Sequence, residues 1–158
     1  QEDETTGGGS AGCAPNNCFV GGVAGVPALS GTSYLVRPNG AAENTRIATN
    51  ANAASLGHVW LGGMDVASNG NFIWLDGTAF NAAGAFRAWA TAAQHTPSGH
   101  LQPDDVDEDE ATAPHEDCVV MSSDMADAWF GRWADTTCGV PAGADMAGYV
   151  CEYEWPTP

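Results

Sequence analysis

The chain has 158 residues, the length of one domain with a buried core, and no apolar run approaches the roughly 20 residues that span a bilayer, so membrane insertion is not expected. It carries 20 acidic residues against four arginines and no lysine, for a formal net charge of -16, which argues against nucleic acid and anionic membranes as partners. Eight of the acids fall within residues 104–117, a density that self-repels unless the segment is disordered or a cation sits among them.

In chain order, residues 1–12 read as a flexible leader with linker-type sequence at Gly7-Gly8-Gly9-Ser10, the polar opening of a mature chain whose signal has been removed. A single domain is expected over 13–158. Residues 13–32 are rich in Gly and Pro without a period and read as loop. A strand is expected at 33–36, then a helix over 41–54 with Asn39 as N-cap and Ile47 on its buried side. Strands follow at 58–62 and 71–75, separated by the turn Ser68-Asn69-Gly70, and Asp76-Gly77 is a second turn. Residues 82–93 are Ala-rich and read as helical, although Gly84 weakens the pattern. The polar stretch 95–117 is too long for a plain connection. A strand is expected at 118–122. Residues 148–155 alternate, with Tyr149, Cys151, Tyr153 and Trp155 on one face and Val150, Glu152 and Glu154 on the other. Trp60, Trp74, Trp89 and Trp133 read as core, because large aromatics dominate core burial.

The cysteines are Cys13, Cys18, Cys118, Cys138 and Cys151. None has CxxC spacing and no histidine completes a zinc motif with them, so disulfides in an oxidising, extracellular setting are the reading. An odd number leaves one thiol free, capped, or paired between chains, the last giving self-association. No Ser-His-Asp order, phosphate loop or zinc motif stands out, His115 beside Glu116 included, and no enzyme is expected.

The order of Trp60-Leu61-Gly62-Gly63, Trp74-Leu75-Asp76-Gly77, Phe86 and Trp89, Gln102-Pro103-Asp104, Glu116-Asp117-Cys118, Trp133-Ala134-Asp135 with Cys138, and Tyr149-Val150-Cys151-Glu152 resembles the C-type lectin-like family from about Leu35 to Glu154. The resemblance implies an α+β fold of antiparallel strands with one or two helices and a long calcium-binding loop. It implies a primary Ca2+ site from Gln102, Asp104, Glu116 and Asp135, with the Pro103 peptide bond cis so that both flanking side chains turn to one ion. A neighbouring Ca2+ site is implied at Asp65, Asn69, Asp105, Glu116 and Asp117. Calcium takes six to eight oxygens at about 2.3–2.6 Å, and these side chains supply oxygen. The resemblance also implies disulfides Cys118–Cys138 and Cys151 with Cys13 or Cys18, the latter nearer the core. Ala134 departs from the family, which has a ligating Asn there.

Gln-Pro-Asp is the family's galactose-type tripeptide, so the resemblance implies a secreted, calcium-dependent carbohydrate-binding module. A glycan's hydroxyls would ligate the ion, with Gln102, Asp104, Glu116 and Asp135 bonding the same hydroxyls. Galactose binders add a stacking aromatic, and the loop after Asp104 has none; Trp129 or Phe130 are the substitutes in sequence. Ala134 and the missing ring point to the alternative, a structural or adhesive module that binds protein or self-assembles with calcium only stiffening the loop. Ice binding, known in some members, is a third reading.

Overall fold

The computed structural model describes residues 32–65, 71–75, 77–94, 101–104, 116–136, 138 and 146–154. The expected leader, Cys13 and Cys18, the turn at Ser68-Asn69-Gly70, most of the acidic stretch and Trp155 lie outside the described residues. The fold is α+β. Strand β1 (Thr32–Leu35) precedes helix α1 (Ala41–Ala53), and six strands follow: β2 (His58–Met64), β3 (Ile73–Trp74), β4 (Cys118–Ser122), β5 (Trp133–Thr136), β6 (Met146–Tyr149) and β7 (Cys151–Glu154).

Helix α1 forms because Asn44, Ile47, Ala48 and Ala51 recur at helical spacing, and all four are buried. Its N-cap is Gly40 rather than Asn39, and Gly40 has no side chain to cap with. Glu43 substitutes by accepting the Asn39 N–H at 2.7 Å, so the carboxylate comes from inside the first turn, where the helix dipole also favours it.

Strand β2 is the hub. It pairs antiparallel with β4 along one edge, while parallel β6 and antiparallel β3 share the other, at opposite ends of the strand. The sheet order is β3-β2-β4-β5 with β6 on β2, and β1 and β7 form a separate two-stranded antiparallel sheet. Between Trp60 and Met64 the β2–β4 register shifts, and Gly62 turns its amide to Val36 O (3.0 Å) and its carbonyl to Leu75 N (2.8 Å). A Cβ at Gly62 would strike the Leu35 carbonyl, and one at Gly63 the Phe80 ring. The paired glycines thus let β1 and the Phe80 turn close onto β2.

The core lies between α1 and the larger sheet, centred on fully buried Trp133. Trp74 stacks on Phe80 at 3.9 Å, and Trp133 meets Trp74, Phe86 and Trp89 edge-on at 5.6, 5.6 and 5.9 Å. Its indole N–H donates to buried Asn44 Oδ1 (2.7 Å), and Asn44 Nδ2 donates to Gly131 O (2.7 Å). One polar side chain of the helix therefore satisfies the ring and the turn that leads into β5 together.

Two expected elements form differently. Residues 82–93 are not a helix: turns run through the Ala82 region, Gly84 takes φ +78°, and the chain then extends to a parallel bridge of Trp89 with Trp133. Burying Phe86 and Trp89 against Trp133 outweighs the alanine propensity, since helix propensity is a weak prior against tertiary packing. Of the strand expected over 148–155, the described residues 148–154 are not one alternating strand. The chain passes from the larger sheet to the smaller at Val150, so Val150 and Cys151 are both buried.

Candidate metal and ligand site

β5 places the site. Trp133 enters the main core, Ala134 lies in a second apolar cluster with Trp60, Ala90, Cys118, Val120 and Trp129, and Asp135 turns to the acidic rim. The Gln102–Asp104 segment is held beside it by main-chain bonds: Ala90 N–H donates to Trp133 O (2.8 Å) and Gln102 N–H to Ala90 O (3.1 Å). The Gln102–Pro103 bond is cis.

The side chains then converge. Gln102 Oε1 accepts the Asp135 N–H at 3.2 Å, and Asp104 N–H donates to both Asp135 carboxylate oxygens at 3.1 Å. Asp104, Glu116 and Asp135 bring one oxygen each within 4.8 Å of one another, and this is the one such group among the described residues. Gln102 and Asp135 are buried, Asp104 and Glu116 half-buried. Two carboxylates at that separation repel by on the order of 3 kcal/mol at an effective dielectric constant near 20. Three of them beside an amide oxygen with a spare lone pair form a hard, all-oxygen donor set suited to Ca2+.

The other candidates are placed as follows. Asp65 is buried, its N–H donating to Asp117 O (2.8 Å) and its Oδ2 accepting the Asn71 N–H (3.0 Å). Asp117 Oδ1 and Asp104 Oδ2 are buried atoms with no hydrogen-bond partner. Asn69 and Asp105 lie outside the described residues. Cys118 and Cys138 form a disulfide (S–S 2.07 Å) that ties β4 to the chain just beyond β5. Cys151 is disulfide-bonded as well, with a partner outside the described residues.

The substitute stacking residues do not serve. Trp129 is buried against the His58 ring, centroids 5.0 Å apart, and Phe130 packs on the main core. Their turn is drawn inward by Gly131 N–H to Ser122 O (2.8 Å) and by Asn44. Two features escaped the sequence reading. Ala90 fixes the tripeptide through main-chain atoms alone, so its residue type carries no signal. A cleft of about 210 Å3 beside Pro103 is lined by Asn71, Phe72, Phe80, Asn81, Arg87 and Trp89, and the signal for it was the lone Arg between Phe86 and Trp89. No helix among the described residues is long and apolar enough to cross a membrane.

A sequence model of the lectin C-type domain matches residues 30–153. An alpha-N-acetylgalactosamine-specific lectin of Patiria pectinifera is 30% identical over 125 residues, covering 77% of this chain; the chain spans 58% of that lectin's length. The solved C-type lectin CEL-I from Cucumaria echinata superposes with a TM-score of 0.60 at 23% identity, covering 94% of this chain and 85% of that one. The carbohydrate-recognition domain of cow CD23 superposes with a TM-score of 0.53 at 23% identity, covering 80% and 72% respectively.

Proposed function

We infer the function of this chain from the premise that it belongs to the C-type lectin domain family, as the match over residues 30–153 shows. At family level it is a carbohydrate-binding lectin domain, and its relatives are binding proteins rather than enzymes. Our reading is more specific: a secreted module that binds galactose-type sugars through calcium, with Gln102, Asp104, Glu116 and Asp135 holding the ion. The observation that carries it is the convergence of three carboxylates within 4.8 Å. The Patiria lectin's N-acetylgalactosamine specificity supports a galactose-type ligand, as does the tripeptide Gln102-Pro103-Asp104. The disulfide at Cys118 supports an oxidising, extracellular location.

When bound, calcium would supply direct ligation to two vicinal sugar hydroxyls. The protein's part is to orient those hydroxyls. Asp104 and Glu116, half-buried, can accept from them, while Gln102 can donate through its amide nitrogen, because its oxygen is turned to Asp135. Asp135, buried and bonded to the Asp104 amide, keeps the tripeptide seated. Asp65, Asn69, Asp105, Glu116 and Asp117 are proposed as a second calcium site that stiffens the loop.

A second reading has an observation of its own. Ala134 is only 1% exposed and gives the site no side-chain oxygen, and neither Trp129 nor Phe130 is presented to a sugar. Both favour a domain in which calcium is structural and the partner is a protein. A glycan array in calcium and in chelator separates the two. Calcium-dependent retention of terminal galactose or N-acetylgalactosamine glycans is the expected result. Absence of glycan retention in calcium, with calcium still bound, would favour the protein-binding module.

A further inference from the structure

The chain has 20 acidic residues and a net charge of -16, yet none of the described residues that line the cleft beside Pro103 is an acid. Its polar side chains are Asn71, Asn81 and Arg87, all able to donate hydrogen bonds, set around the rings of Phe72, Phe80 and Trp89.

Arg87 sharpens the point. Arg37 lies over the Trp74 ring and donates to Thr78, and Arg46 pairs with Glu43 at 3.9 Å. Arg87 and Arg132 are both exposed and make no ion pair among the described residues, and of the two it is Arg87 that lines the cleft. An exposed guanidinium at a cleft, with no ion pair among the described residues, is placed to meet an external anion. The planar fork suits a carboxylate or a sulfate, and Trp89, the one of the three rings that is only partly buried, suits the apolar face of a sugar ring.

We propose that this cleft is a second subsite, which reads a single anionic substituent, carboxylate or sulfate, on the sugar held next to it. Its position follows from Pro103, which lines the cleft and stands between Gln102 and Asp104. The claim rests on the calcium-dependent sugar-binding reading for what brings the ligand there. The net charge of -16 limits the ligand to few charges: a polyanion would meet the field of the whole chain, whereas one group in contact with Arg87 is attracted at short range while charges beyond a Debye length of about 8 Å are screened.

Calorimetry in calcium with galactose, galacturonic acid and galactose 6-sulfate tests this, the two acids telling carboxylate from sulfate. At least one acid is expected to bind about fivefold tighter than galactose, the upper end for a solvent-facing ion pair, and the advantage should shrink with salt. In Arg87→Gln the ratio of acid to galactose affinity should fall to about one, and Arg87→Lys should restore part of it. No advantage for either acid, or an advantage that persists in Arg87→Gln, overturns the subsite. If none of the three sugars binds in calcium, the sugar-binding reading is what fails. Inorganic sulfate alone, titrated in chelator while the Arg87 Nε–H and Trp89 indole resonances are followed, then decides the cleft. Saturable shifts of both resonances in the parent, with the Trp89 indole unmoved in Arg87→Gln, uphold it, and unmoved resonances in the parent overturn it.

Discussion

Two ends of one four-residue strand obey different physics. At Trp133 the side chain is fully buried, touched edge-on by other rings, and its one polar atom is bonded to Asn44. Two residues on, Asp135 is nearly as buried, but it shares its space with Asp104 and Glu116, groups of its own charge. The first end is stable because every group is satisfied by the protein. The second is assembled by main-chain bonds from Ala90 and Asp104 and left with surplus negative charge. The body of the domain therefore should hold its shape without a ligand, and the rim should depend on one.

The sharpest break of that contrast is at the core end. Trp133→Ala should lose about 3–5 kcal/mol in denaturant unfolding, equally in calcium and in chelator. Asn44→Ala should lose somewhat less, about 2–3 kcal/mol, the lower end of the cost of leaving two groups, the Trp133 indole N–H and the Gly131 carbonyl, unbonded. Cys138→Ala, compared under the same conditions, should lose about 3 kcal/mol, the chain-entropy value for a closure spanning 20 residues. Because this disulfide ties β4 to the end of β5, its removal should also weaken calcium binding, which the core variants that still fold should not.

The rim gives the smallest effect, and the only one with a change of sign. In chelator at low salt, Asp104→Asn removes one of three clustered charges and should raise stability by up to about 1 kcal/mol. In calcium the same variant should be less stable than the parent. Thermal melts of both proteins in both buffers check this, and parallel shifts without a crossing would put the rim under the same physics as the core.

The sequence made the core end plain and the rim only half so. Spacing in α1 and the Trp-Leu-Gly-Gly segment predicted a helix and a strand, because burial periodicity is local information. Residues 82–93 misled, since alanine propensity is local while the pull of Trp133 on Phe86 and Trp89 is not. The Val150 crossing misled for the same reason: a change of sheet leaves no mark in a period of two. Gln102, Asp104, Glu116 and Asp135 were named from a family resemblance rather than from any period. What brings three of them together is a backbone relay through Ala90, which side-chain chemistry does not encode. The Arg87 cleft stayed out of sight because its wall is drawn from residues as distant as Asn71 and Pro103.

Whether the rim is a calcium site is the central question, and direct calcium calorimetry on the parent and on Asp104→Ala answers it. The account predicts calcium binding by the parent, the loss in Asp104→Ala of the ion held at the Asp104, Glu116 and Asp135 cluster, and a parent melting temperature that rises with calcium, worth about 2.7 kcal/mol of stability at a hundredfold excess over Kd. Equal calcium binding by Asp104→Ala and the parent, or no binding by either, would contradict it.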